Sequence, residues 1–227
     1  MLVKDWMSIG VMSIRAEDSI QQAIKLQKDN NITMLPVMEK GRMVGIVTSH
    51  DLKSASFPDA LPVELQEAIE FASKVKVKEI MSHHPLTVLP EHTMEEAANI
   101  LLKNRISGAP VVDDKGKIVG IITRSDILKV LMEISGKGKI SYEVAFCVKD
   151  QPGSVKEIVN AVHKHNGRIA SILSSHKGVA PGLRNMYMRL YNVEPEEMPE
   201  IIKQLKKKAT LRYFIDFIMN KREIYSK

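Results

Sequence analysis

Apolar residues along this chain switch between two periods, and they do so in the same order twice. Ile20, Ala23, Ile24 and Gln27 recur at helical spacing after Ser19, giving a partly apolar face; Met94, Ala97, Ala98 and Leu101 do so more fully after Thr93. Each stretch opens on a hydroxyl residue with Gln22 or Glu96 three positions later, the pattern of a reciprocal cap on a helix start. A short apolar run follows, "TMLPV" or "GAPVV", then a charged glycine turn, "MEKGR" or "DDKGK", then a second run, "MVGIVT" or "IVGIIT". A further helix is predicted after each. Every unit therefore reads β-α-β-β-α, too small for a robust core alone, whereas two packed together would bury a shared one.

The repetition reaches identities. "VKDWMS" from Val3 aligns with "VKEIMS" from Val77 at an offset of 74 (77 − 3), which also pairs Ala23 with Ala97, Ile32 with Ile106 and Pro36 with Pro110. One extra residue in "DDKGK" raises the offset to 75 (120 − 45), pairing Gly45 with Gly120, Thr48 with Thr123 and Asp51 with Asp126. The first unit is placed at residues 1–56 and the second at 77–135. Between them, 57–76 predicts a linker helix, with Pro62 suited to its first turn and Leu65, Ile69 and Phe71 as apolar contacts.

After "GKGK" (136–139), a polar and flexible boundary, the rhythm changes. Ile140, Tyr142, Val144, Phe146 and Val148 alternate with Ser141, Glu143, Ala145, Cys147 and Lys149, predicting a strand with one apolar face. "DQPGSV" turns into a helix carrying Val155, Ile158, Val159 and Val162 on one side and stopping near Asn166-Gly167. "RIASILSS" and "NMYMRLYNV" read as strands, Met198, Ile201, Ile202 and Leu205 stripe a second helix, and "LRYFIDFI" closes as a strand. The order β-α-β-β-α-β over 140–218 is that of a ferredoxin-like unit with a four-stranded antiparallel sheet, followed by a basic tail at 219–227. The fold class is α+β.

Composition narrows the function classes. A chain of 227 residues with 44% hydrophobic and 26% charged residues suits a globular protein with a real core. No apolar run approaches the roughly 18–20 residues that span a bilayer, so no membrane partner is expected. The start, "MLVKDWMSIG", lacks the basic segment and apolar run of a signal peptide. Cys147 is the one cysteine, which excludes an intrachain disulfide and fits a reducing cytoplasm. The net charge of +6 concentrates near the end, where a solvated helix face and basic tail account for it. Nucleic acid is not the expected partner, because no recognition helix, zinc-finger spacing or aromatic-basic surface accompanies the charge. His83, His84 and His92 lack the ligand spacing of a metal site, and no metal is expected. No Ser-His-Asp elbow, Walker A loop or paired carboxylates support an enzyme.

The chemistry that remains lies at the two junctions where an apolar strand runs into a helix. Such a junction leaves unpaired N–H groups with partial positive charge, where a phosphate can bind. Thr48 and Thr123 can donate a hydroxyl to phosphate, and Asp51 and Asp126 can accept from ribose hydroxyls. The same T-x-x-D spacing is also a helix cap that needs no ligand. The copies differ in ways that bear on binding. Gly108 and Ala109 in "ISGAP" (with Ile106, Ser107 and Pro110) leave a slot for a flat ring, whereas "ITMLP" (Ile32, Thr33, Pro36) places Met34 and Leu35 at those positions. Arg124 sits beside Thr123 where the first copy has Ser49, and His50 replaces Ser125. On these grounds the second copy is the stronger candidate site.

Taken together, residues 1–135 resemble a tandem pair of CBS domains, a family whose members commonly sense adenine nucleotides. That resemblance implies AMP, ATP or S-adenosylmethionine as a regulatory ligand, and places the segments after each "MS", Val11, Met12 and Ser13 and Pro85, Leu86 and Thr87, near the base. Residues 138–218, with "VKDQPGSV", resemble an ACT domain, which implies an amino acid bound at Asp150, Pro152, Gly153 and Ser154. The architecture as a whole resembles regulatory proteins of the acetoin-utilisation type. What the resemblance implies is a non-catalytic allosteric regulator, at least a homodimer, acting on a target protein not named by the sequence. A ligand-free adaptor or dimerisation scaffold and a nucleic-acid-associated regulator are the alternatives.

Overall fold

The computed structural model describes residues 1–56, 74–136, 138 and 141–225, and the chain divides into two compact units, Met1–Leu128 and Lys129–Lys227. In the first unit the helices start where the hydroxyl residues stand. Helix α1 (Ile20–Asn30) is capped by Ser19: the Ser19 N–H donates to Gln22 Oε1 at 2.8 Å and the Gln22 N–H donates to Ser19 Oγ at 3.3 Å. Helix α3 (Met94–Lys103) repeats this with Thr93 and Glu96 at 2.7 and 3.1 Å. We expect Ser19→Ala to lower the stability of this unit by about 1 kcal/mol; urea unfolding followed through Trp6 fluorescence measures it.

The strands show that each repeat completes the other's sheet. In the first copy β1 (Ile14–Arg15) lies parallel to β2 (Met34–Glu39), which pairs antiparallel with β3 (Arg42–Thr48) before helix α2 (Ser49–Ser56). The fourth strand of this sheet, β4 (Ser82–His83), comes from the second copy, with Ser82 opposite Ile46 and His83 opposite Gly45. The exchange is mutual. In the second copy β5 (Gly108–Val112) pairs with β6 (Ile118–Thr123), which runs into helix α4 (Arg124–Ile134). Ser8 of the first copy bridges Ile121 of β6, with N–H to carbonyl distances of 2.9 and 3.0 Å, while Val88 bridges Val111 in parallel.

This crossing explains the repeated glycines. A Cβ on Gly45 would lie 2.6 Å from Met81 Sδ and 2.9 Å from the Ser82 carbonyl oxygen, and one on Gly120 would lie 2.8 Å from Met7 Cγ and 3.1 Å from the Ser8 oxygen. Each "MS" segment lies flat on the other copy's strand, and only a residue without a side chain admits it. The cores are shared accordingly: Ile20, Leu35, Val47 and Leu52 of the first copy belong to one buried cluster with Val77 of the second.

In the second unit the predicted order is present: β7 (Tyr142–Lys149), α5 (Ser154–His163), β8 (Arg168–Ser175), β9 (Leu183–Tyr191), α6 (Met198–Lys208) and β10 (Thr210–Asp216). The sheet is antiparallel with β7 at its centre, between β9 and β10, and β8 outside β9. Tyr142, Phe146, Met188, Ile158, Ile201 and Leu205 form part of a single core, with the Tyr142 and Phe214 rings stacked 5.9 Å apart. Three expectations are corrected. The tail at 219–227 is not only a tail, because β11 (Lys221–Ile224) pairs antiparallel with β10 as a fifth strand. Nor does β7 bury one face only: its central place covers both, leaving Ala145 and Cys147 buried and Glu143 just 8% exposed. Glu143 is satisfied there by Arg189 Nε at 2.7 Å and the Tyr213 hydroxyl at 2.6 Å. Burial, then this bond to Glu143, pushes up the Tyr213 phenol. Phe217 and Ile218, expected to end β10, lie exposed beyond it.

The predicted linker helix falls largely on 57–73, outside the described residues; so do Lys137, Lys139 and Ile140 of the boundary region.

Candidate functional site

Both strand-to-helix junctions form without a loop: α2 follows Thr48 at once, and α4 follows Thr123. At the first, the Thr48 N–H and hydroxyl donate to Asp51 Oδ2 at 2.8 and 2.7 Å, and the Asp51 N–H donates back to Thr48 Oγ1 at 3.4 Å. The second matches it through Thr123 and Asp126 at 3.0, 2.7 and 3.3 Å. The capping role of T-x-x-D is therefore present in both. It uses one carboxylate oxygen, and among the described residues nothing hydrogen-bonds to Asp51 Oδ1.

The junctions differ in what they face. A cavity of about 530 Å³ opens at the first, where Thr48, His50 and Asp51 stand on its wall. Ser82 to Leu86 supply a second wall, and Arg105, Ile106, Ser107 and Gly108 a third. Met34, Ile46, Pro110 and Arg124 complete the lining. Asp126 does not line this cavity and is only 4% exposed. The apolar lining beside Gly108 can hold a flat ring, the junction presents a carboxylate oxygen, and the histidines and arginines offer cationic groups to an anion.

This arrangement revises the grouping expected from the sequence. Pro85, Leu86, Ile106, Ser107, Gly108 and Pro110 of the second copy do come together, but around Thr48 and Asp51 of the first rather than Thr123 and Asp126. The exchanged segments are the cause, since β4 sets His83 against β3 of the first copy, with Pro85 two residues on. Met34, His50 and Arg124 are placed on the cavity as well. Thr87, Ala109, Thr123 and Ser125 do not line it, nor do Val11, Met12, Ser13, Ile32, Thr33, Pro36 and Ser49. Ala109 is buried beneath it in β5. His83, His84 and Arg105 are lining residues that sequence reasoning left out. Arg105 directly precedes "ISGAP" and the histidines directly follow "MS", so adjacency to the repeated motifs was the available signal.

In the second unit, Gly153 precedes α5 with φ +90° and no side chain caps that helix, whose first residue is Ser154; Pro152 lies in the turn before it. Asp150 is engaged: its carboxylate meets His176 Nε2 at 2.9 Å and Arg184 Nε at 3.4 Å. The hydrogen bond with His176, aided by the Arg184 charge, holds that carboxyl below the usual range. Among the described residues no three His, Cys, Asp or Glu converge as metal ligands, and no helix is long and apolar enough to cross a membrane.

The model of the CBS domain family matches residues 3–57 and 77–133. A CBS domain-containing protein of Dictyostelium discoideum is 34% identical over 134 residues, 59% of this chain and 92% of that protein. An inosine-5'-monophosphate dehydrogenase of Korarchaeum cryptofilum is 33% identical over 117 residues, 52% of this chain and only 21% of the dehydrogenase. Among solved structures, CBSX2 of Arabidopsis thaliana is 29% identical at a TM-score of 0.50, covering 59% of this chain and 95% of CBSX2. CBSX2 has also been solved in complex with AMP.

Proposed function

We propose, for a chain that belongs to the CBS-domain family, that its paired repeats form a non-catalytic regulatory module sensing an adenine nucleotide, AMP, ATP or S-adenosylmethionine. The observation that carries this is the cavity at Thr48 and Asp51, where an apolar slot, a free carboxylate oxygen and cationic side chains meet. In this reading the base lies between Pro85, Ile106 and Gly108, the ribose hydroxyls donate to Asp51 Oδ1, and the phosphate meets Arg124. The likeness to CBSX2, a protein crystallised with AMP, supports the ligand class.

Calorimetry of the full chain with AMP, ADP, ATP and S-adenosylmethionine tests it. Asp51→Ala is expected to weaken binding roughly ten-fold or more, the loss of one charge-assisted bond. Asp126→Ala, off the cavity, is expected to change it far less. Equal affinity in wild type and Asp51→Ala would overturn the assignment.

The family models end at residue 133. The ACT assignment of the second unit, and with it the acetoin-utilisation likeness, rests on strand order and the turn at Asp150. An amino-acid carboxylate would there meet the uncapped N–H groups of α5. A homodimer is part of the same proposal.

A further inference from the structure

Five residues on the cavity wall can carry positive charge: His50, His83, His84, Arg105 and Arg124. The repeat offsets place a neutral residue at each corresponding position around Thr123 and Asp126. His83 and His84 correspond to Ile9 and Gly10 (83 − 74, 84 − 74), Arg105 to Asn31 (105 − 74), Arg124 to Ser49 (124 − 75), and His50 to Ser125 (50 + 75). Ser49 is turned to other work, its hydroxyl donating to Gln27 Oε1 at 2.6 Å. Two folds of one sequence pattern have thus diverged completely in charge.

The backbone shows that Arg105 is kept against local preference. His84 and Arg105 have φ +49° and +56°, in the left-handed region, and their counterparts Gly10 and Asn31 have φ +72° and +51°. Glycine, asparagine and histidine are residues that region favours; arginine is not among them. Backbone strain kept at a cavity wall points to function. Among the described residues neither Arg105 nor Arg124 forms an ion pair, and Asp51 is the only carboxylate lining the cavity. At the other junction Asp126 is buried.

We propose that the repeat pair holds one nucleotide rather than two, at Thr48 and Asp51, and that Arg105 and Arg124 select a nucleoside polyphosphate over adenosine or S-adenosylmethionine. This rests on the adenine-nucleotide reading above and specifies its stoichiometry and charge. Each added phosphate brings negative charge within reach of unpaired guanidinium groups, whereas a sulfonium adds a like charge.

The test is calorimetry of the full chain with ATP, AMP, adenosine, S-adenosylmethionine and inorganic triphosphate. One ATP per chain is expected, bound about ten-fold or more tightly than AMP, with adenosine and S-adenosylmethionine weaker still. Arg105→Asn and Arg124→Ser are each expected to lower ATP affinity about ten-fold and leave adenosine unchanged. Arg105→Asn should unfold at the wild-type temperature or above it, because asparagine accepts the left-handed backbone; this separates lost binding from lost folding. Two ATP per chain, or S-adenosylmethionine bound as tightly as ATP, overturns the inference while the adenine reading stands. Inorganic triphosphate bound as tightly as ATP supports the charge assignment and removes adenine from the parent reading. Absence of binding by every compound overturns both.

Discussion

Gly45→Val is expected to destabilise the first unit by about 3 kcal/mol, near the upper end of overpacking penalties. The added side chain begins 2.6 Å from Met81 Sδ and 2.9 Å from the Ser82 carbonyl oxygen. The methionine end can swing aside. The carbonyl cannot, because Ser82 is held in register opposite Ile46. Relief therefore requires β4 to lift from β3, and with it His83 and Pro85 leave the cavity. The same variant should then lose nucleotide binding without touching a lining side chain. Trp6 fluorescence during urea unfolding reads the first effect and calorimetry the second. A wild-type midpoint in Gly45→Val would show that the "MS" segment does not cross between copies.

Glu143→Ala is expected to cost the second unit about 3 kcal/mol, the typical result of removing one partner from a buried pair. It leaves Arg189 facing a void and the Tyr213 hydroxyl without its acceptor. Tyr213→Phe removes a single bond and should cost about 1 kcal/mol. Replacing all three groups together, as Glu143→Leu with Arg189→Met and Tyr213→Phe, should recover much of the loss, since apolar side chains need no partners and the Ser135 carbonyl keeps the Ser171 hydroxyl. Hydrogen exchange of the β7 and β9 amides follows this unit by itself. Unaltered exchange in Glu143→Ala would mean the pair contributes nothing to the sheet.

Glu143 also shows where reading the sequence ends. Alternation along Tyr142–Lys149 marks Tyr142, Val144, Phe146 and Val148 as core, and they are. The opposite face looked open because a period of two cannot tell an edge strand from a central one. Between β9 and β10, the Arg189 and Tyr213 side chains of those neighbours close over Glu143 on that face, from 46 and 70 residues away. The fifth strand was missed for a related reason: Lys221–Ile224 carries mostly charged side chains, and its strand state comes from backbone pairing with β10 rather than from pattern.

By itself the sequence determined the repeat, the helices with their Ser19 and Thr93 caps, the β-α-β-β-α-β order of the second unit and the residue types able to meet a nucleotide. These depend on local periodicity and on contacts three or four residues apart, which a linear string displays. Tertiary structure decided which residues share the cavity. The lead segment of each copy joins the other copy's sheet, so most partners of Thr48 and Asp51 on the cavity lie in the second copy. No periodicity records that exchange; its only trace in the string is a pair of glycines, explained once Met81 and Met7 are seen lying against them.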